Sequence, residues 1–138
     1  MAESEALIKG RELFKKIFGP EYGLELANTL YADAEDFSDI VMGKIAPEIW
    51  GPEEVDVRTK LLCCVAIFTA LNREEIKFFI RGAICQGVTK KQITEIIMLG
   101  GLEAGFPAAS AAYRRAKEAY AEHEAFLESL KNRQHDEQ

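Results

Sequence analysis

Between Glu74 and Gly87 the apolar residues Ile76, Phe79, Ile80, Ala83 and Ile84 recur at helical spacing, and Gly87 supplies a stop. A segment of this kind must bury one face, and nothing in the chain alternates with the two-residue period of a strand. The run therefore commits the chain to helix-on-helix packing. Similar signals flank it. Glu5 to Phe18 carries Leu7, Ile8, Phe14, Ile17 and Phe18 ahead of the breaker Gly19-Pro20. Pro20 opens a short helix to about Tyr31, and Asp33 is placed to cap a third helix through Phe37, Ile40, Val41 and Ile45, which breaks near Pro47. The breaker-rich stretch Pro47-Glu48-Ile49-Trp50-Gly51-Pro52 reads as a turn or loop. Asp56 caps a helix over Val57 to Leu71 that Asn72 closes, and Thr89 with Gln92 forms a capping box ahead of a helix reaching Leu102. A last helix runs from Pro107 to about Leu130, followed by a polar tail over residues 131–138. The expectation is one all-α domain, a compact bundle of about six to seven helices.

Charge and hydropathy then narrow the partners. The net charge is −6 and the 17 basic residues are scattered, so the electrostatic term behind nucleic-acid binding is missing. The longest apolar stretch, Leu61 to Leu71, is too short to cross a bilayer, which needs about 20 residues. The acidic Met1-Ala2-Glu3-Ser4-Glu5 lacks the features of a secretion signal, which predicts a cytoplasmic protein with reduced thiols. From Ile96 to Leu102 the sixth helical segment is apolar all round. A helix like that in a small chain needs cover from another subunit, so a homo-oligomer is expected, with Gly100-Gly101 allowing close approach at the contact.

Six blocks stand in a recognisable order: Pro47-Glu48-Ile49-Trp50, Asp56-Val57-Arg58-Thr59, Ala70-Leu71-Asn72-Arg73, Arg81-Gly82-Ala83, Gln86-Gly87-Val88-Thr89 and Ala104-Gly105-Phe106-Pro107-Ala108-Ala109. Together they resemble the carboxymuconolactone decarboxylase and AhpD-like family over about Lys9 to Tyr120. The resemblance implies a compact helical fold assembled into trimers or hexamers. It also implies two activities: loss of carbon dioxide from a carboxylated unsaturated lactone in the breakdown of aromatic compounds, or peroxide reduction through a Cys-x-x-Cys pair supported by histidine and glutamate.

The residues those activities use are replaced. By register the two cysteines of the peroxidase type fall on Asn72 and Glu75, and its histidine falls on Phe79. The decarboxylases also usually have histidine at that position, so the proton carrier is lost as well. Adjacent Cys63 and Cys64 point about 100° apart on a helix and read as small buried hydrophobes. Cys85, on the flank with Phe78 and Arg81, is the candidate nucleophile. Glu48 is a candidate proton carrier beside the aromatic Trp50, and Glu103, a carboxylate near the end of an apolar helix, is a second. Arg58 and Arg81 are the candidate anchors for an anionic substrate, with Trp50 and Phe79 on the walls. His123 and His135, near the C-terminus, are assigned to solvent, and no His or Cys cluster has metal-ligand spacing.

The functional expectation is a decarboxylase-like protein acting without a cofactor on a carboxylated lactone or related small acid. A conjugated carbonyl in the substrate supplies the electron sink, so the protein need only hold the acid and move a proton. Two alternatives stand beside it: a Cys85-dependent peroxidase, and a non-catalytic oligomer whose pocket binds a ligand unchanged.

Overall fold

The computed structural model describes residues 3–138 and contains no strand among them. In chain order the helices are α1 (Glu5–Phe18), α2 (Pro20–Thr29), α3 (Glu35–Ile40), a π-helical segment (Val41–Trp50), α4 (Val57–Leu71), α5 (Ile76–Cys85), α6 (Lys90–Ala104) and α7 (Phe106–Asp136). No helix among the described residues is long and apolar enough to cross a membrane. Residues up to Lys60 together with Cys85–Gly87 make one compact unit, and Leu61–Ile84 with Val88–Gln138 make a second.

In the first unit α1 begins on Ser4, whose hydroxyl accepts from the Leu7 backbone N–H, and ends at Gly19 with φ 91°. Ile17, Phe18, Leu26, Ala27, Met42 and Ala46 form the buried apolar set. Gly23 lets α2 fold back onto α1, because a Cβ there would lie 2.2 Å from the Phe14 carbonyl oxygen. The last carbonyls of α1, orphaned by the end of the helix, are taken up from the sequence-distant end of α5: Gln86 Nε2 donates to the Lys16 carbonyl at 2.7 Å, and Cys85 Sγ donates to the Phe18 carbonyl at 3.2 Å.

Two sequence expectations fail in this unit. Pro47 to Trp50 is not a turn, because α3 continues without a break into the π-helical segment with Pro47 inside it. In i→i+5 winding the carbonyl opposite residue 47 is that of Met42, and proline has no N–H to give it. That carbonyl instead faces α1 at Gly10, where an added Cβ would overlap it at 1.8 Å. Asp33 is not the cap of α3 either: Ala34 holds the N-cap position without a side-chain bond, one residue beyond Asp33.

The core of the second unit joins Leu61, Val65 and Thr69 of α4, Ile76, Ile80 and Ala83 of α5, Ile93 and Ile97 of α6, and Ala108, Ala112, Ala116 and Ala119 of α7. Burying one side chain such as Ile80 contributes about 1.5–3 kcal/mol. The buried Thr69 hydroxyl is satisfied by the Val65 carbonyl at 2.8 Å. Asn72, with φ 55°, terminates α4, and the capping box of Thr89 and Gln92 starts α6, both as the sequence indicates.

Other expectations need correction here. Gly100 and Gly101 are buried against their own chain: a Cβ on Gly100 would meet the Ala66 carbonyl at 2.9 Å, and one on Gly101 would meet Ala109 Cβ at 2.4 Å. They serve packing of α6 on α4 and α7. Since Leu61, Val65 and Thr69 define the buried face of α4, Cys63 is turned outward and is exposed, while Cys64 is half-buried. Helix α7 does not stop near Leu130 but continues to Asp136, with basic Arg133 and His135 in a last turn where the macrodipole favours them.

Candidate functional site

The first unit holds a cavity of about 750 Å³ lined by two stretches of chain and Gln86. One wall is α1, which contributes Lys9, Glu12, Leu13 and Lys16 at helical spacing i, i+3, i+4 and i+7. The facing stretch supplies Trp50, Glu53, Asp56 and Arg58.

Each side chain is placed by local chemistry. Trp50 is the last residue of the π-helical segment. The Lys60 ammonium donates to the carbonyls of Ile49 at 3.3 Å, Trp50 at 3.5 Å and Pro52 at 2.6 Å, so a cation sits where the helix presents unpaired acceptors. Asp56 receives the Thr59 backbone N–H at 2.7 Å and caps α4, setting Arg58 in the first turn. Bonding by the Thr59 backbone and side chain, with a smaller contribution from the charge of Arg58, holds the Asp56 carboxyl below its usual value. The cap thus commits one acidic group of the wall to backbone. A second, Glu12, is engaged by Lys15 at 3.0 Å. Lys9 and Lys16 enter no ion pair among the described residues. The lining carries three cations, Lys9, Lys16 and Arg58, and three carboxylates, Glu12, Glu53 and Asp56, of which Glu12 and Asp56 are engaged locally.

Of the seven residues nominated from sequence, Trp50 and Arg58 come together at this cavity. Glu48 is exposed on the π-helical segment and is not one of the lining residues. Cys85 is exposed and its S–H donates to the Phe18 carbonyl at 3.2 Å. Glu103 is exposed in the last turn of α6.

The second unit contains Phe79 and Arg81, and they point to different neighbours, as residues two apart on a helix must. The Phe79 ring stacks on Phe68 of α4 with centroids 5.0 Å apart and 15° between planes. Arg81 is only 7% exposed and lies with its guanidinium carbon 5.5 Å from the centre of the Phe126 ring. His123, one turn before Phe126 on α7, is not a solvent residue as expected. It is half-buried, its Nδ1 is sealed from water without a hydrogen-bond partner, and burial followed by the positive charge of Arg81 pushes its pKa down. The Tyr120 hydroxyl is likewise sealed without a partner, and burial, then Tyr113, raises its pKa. His135 is exposed as anticipated. No group of three or more His, Cys, Asp or Glu among the described residues is arranged to hold a metal ion.

Sequence reasoning missed Lys9, Lys16, Glu53 and Lys60. The two lysines were legible as an i, i+7 pair, although nothing in the sequence tells which face of α1 borders a cavity. Lys60 carried no signal, because its partners are backbone carbonyls.

Comparison with known proteins bears on the same segments. The model of the carboxymuconolactone decarboxylase family matches residues 36–118. A protein named 4-carboxymuconolactone decarboxylase from Acinetobacter baylyi is 27% identical over 121 residues, covering 87% of this chain and 90% of that protein. An uncharacterized 15.0 kDa protein from the nqo9-nqo10 intergenic region of Paracoccus denitrificans is 29% identical over 128 residues, covering 80% of this chain and 96% of that protein.

Proposed function

We propose, from the premise that this chain belongs to the carboxymuconolactone decarboxylase family, that it is a carboxy-lyase acting on a carboxylated, conjugated lactone or related organic acid in the cavity beside Trp50. The observation that carries the reading is the meeting of Trp50 and Arg58, from two separate sequence blocks, on the wall of one cavity that Lys9 and Lys16 also line. Arg58 presents a planar fork to a carboxylate, and Trp50 offers a flat apolar face to the conjugated ring. In the reaction the bond to the departing carboxyl carbon breaks, carbon dioxide leaves, and the electron pair enters the substrate's conjugated carbonyl as a dienolate. A proton then closes the sequence on carbon. Glu53 is the lining carboxyl that we assign to deliver it, with solvent restoring the acid form. Glu48 is the competing assignment.

The test is turnover of 4-carboxymuconolactone by purified protein, followed by carbon dioxide release. Glu53→Gln is expected to lower kcat by about 100-fold, the lower end for loss of a general acid, with Glu48→Gln within about threefold of the parent. The opposite pattern returns the proton step to Glu48, and no release from the parent protein rejects the lyase.

One observation favours a second reading, a non-catalytic ligand-binding protein. At the position where the decarboxylases usually have a histidine, Phe79 is engaged in an aromatic stack that cannot carry a proton. Saturable binding without any product would select this reading. The thiol-peroxidase alternative draws no comparable support. Cys85 is bound to a carbonyl, and burial together with neighbouring Cys63 pushes the Cys64 thiol up to about 11, away from the thiolate.

We also propose a homo-oligomer. Within the second unit Met98, Leu99 and Leu102 of α6 and Phe106 of α7 are 61%, 58%, 78% and 82% exposed, which leaves a large apolar strip facing water. Leu102→Glu is expected to shift the sedimenting species toward monomer, and an unaltered mass would refute that strip as the contact.

A further inference from the structure

The part of the cavity wall that carries Trp50 is held from outside the cavity. Trp50 is the last residue of the π-helical segment, and the chain from Gly51 to Asp56 that follows it belongs to no helix. The end of a helix leaves carbonyls without donors, and Pro52 brings no N–H of its own to the bend. Among the described residues, no backbone–backbone hydrogen bond outside the helices involves residues 51–55. The bend is bridged instead by one side chain. The Lys60 ammonium donates to the carbonyls of Ile49 and Trp50 on one side of Gly51, at 3.3 and 3.5 Å, and to that of Pro52 on the other, at 2.6 Å. An ammonium has three protons to give and no acceptor, which suits three carbonyls, and bonds from a charged donor are stronger than those from a neutral one. The far end of the bridge is fixed too, because the Lys60 backbone N–H donates to the Asp56 carbonyl at 3.0 Å in the first turn of α4. Trp50, Pro52, Asp56 and Arg58 all line the cavity, whereas Lys60, which ties them together, is not one of the lining residues.

We infer that Lys60 is a positioning residue for the ligand site: by holding the carbonyls of Ile49, Trp50 and Pro52 against the first turn of α4, its ammonium sets the direction in which the Trp50 indole meets the cavity. This rests on the reading above that the cavity is the ligand site, and it adds a residue that acts on the ligand only through Trp50. The charged head does this and not the stem, since the acceptors are backbone oxygens that only a donor can bind.

Trp50 is the one tryptophan of the chain, so its indole N–H resonance and its fluorescence report on this wall alone. In the full-length protein without ligand, Lys60→Met is expected to shift the indole resonance and to increase quenching of the indole by acrylamide, while Lys60→Arg, which keeps a charged head with several donors, stays nearer the parent. With 4-carboxymuconolactone as substrate, Lys60→Met is expected to raise KM by about fivefold or more and to leave kcat within about twofold. In a Trp50→Leu background the same substitution should change KM by less than about twofold, because the group through which Lys60 acts is gone. An indole signal unaltered in Lys60→Met overturns the inference. A KM effect of equal size in both backgrounds also overturns it, since that marks a general loosening of the fold. Lys60→Arg as strongly altered as Lys60→Met overturns it as well. Should Lys60→Met not fold, the same readouts are taken on Lys60→Gln, whose shorter, neutral amide cannot replace the three bonds. A parent protein that releases no carbon dioxide rejects the lyase and leaves Lys60 to be decided by the indole signal.

Discussion

Arg58 and Arg81 carry the same side chain and, by sequence, the same claim on a substrate's carboxylate. The fold treats them differently. Arg58 stands exposed in the first turn of α4, aligned by the Asp56 cap, on the wall of an open cavity. Arg81 is buried in the middle of α5 beneath Phe126, close enough to His123 to disfavour a second positive charge there. A guanidinium at a cavity wall costs little to keep hydrated, whereas one in an interior is held by packing. The pair separates residues whose loss should appear in binding from residues whose loss should appear in folding.

The largest effect should come from the interior. Arg81→Ala removes a long stem from a packed site together with the contact to Phe126, and is expected to cost about 2–4 kcal/mol, seen as a fall of roughly 10 °C in the melting midpoint. Arg58→Ala should leave that midpoint within about 1–2 °C and instead weaken ligand affinity by about tenfold. Equal destabilisation by the two substitutions would abolish the contrast.

A subtler check uses pH. The pKa of His123 is depressed in the folded state, so the unfolded chain binds its proton first as pH falls below about 6.5. The contribution is a loss of stability between that pH and the lower folded value, with none above it. The groups around the imidazole are Arg81 from α5 and, on α7, Glu124, which opposes the shift and is itself paired with Lys90 at 3.2 Å. Melting midpoints measured from pH 7 to pH 5 should fall less in His123→Gln than in the parent. Parallel curves would show that the imidazole does not sense Arg81.

The smallest effect should be at the surface of the second unit. Lys77 reaches Glu122 at 2.6 Å, Glu118 at 3.5 Å and Glu74 at 3.8 Å. Networks of this kind on partly exposed side chains are worth little, and Lys77→Met should cost no more than about 1 kcal/mol in low salt and less in high salt. A loss as large as that for Arg81→Ala would mean that charge outside the core can matter as much as packing within it.

The helices were readable where a local rule suffices. The Thr89 and Gln92 box, the Asp56 cap and Asn72 at the end of α4 each act within a few residues, and the structure contains all three. What the sequence withheld depends on distant partners. Gly100 and Gly101 could serve a neighbouring subunit or their own chain, and only Ala66 and Ala109 decide between them. His123 looked peripheral because it lies toward the C-terminus, far in sequence from the matched blocks, and only the packing of α7 on α5 brings it beside a buried arginine. Of the candidate site, Trp50 and Arg58 were named separately from the sequence and line one cavity, while Lys9 and Lys16 required knowing which way α1 is turned.

The π-helical segment has one more consequence. Its wider winding makes the direction of Trp50 depend on the count of residues from Val41, and Pro47 stands inside it without an N–H to give the Met42 carbonyl, which faces Gly10. Deleting a single residue between these points would change the direction in which the indole leaves the axis. In this stretch a one-residue deletion would therefore act as a change of ligand specificity, with no side chain substituted.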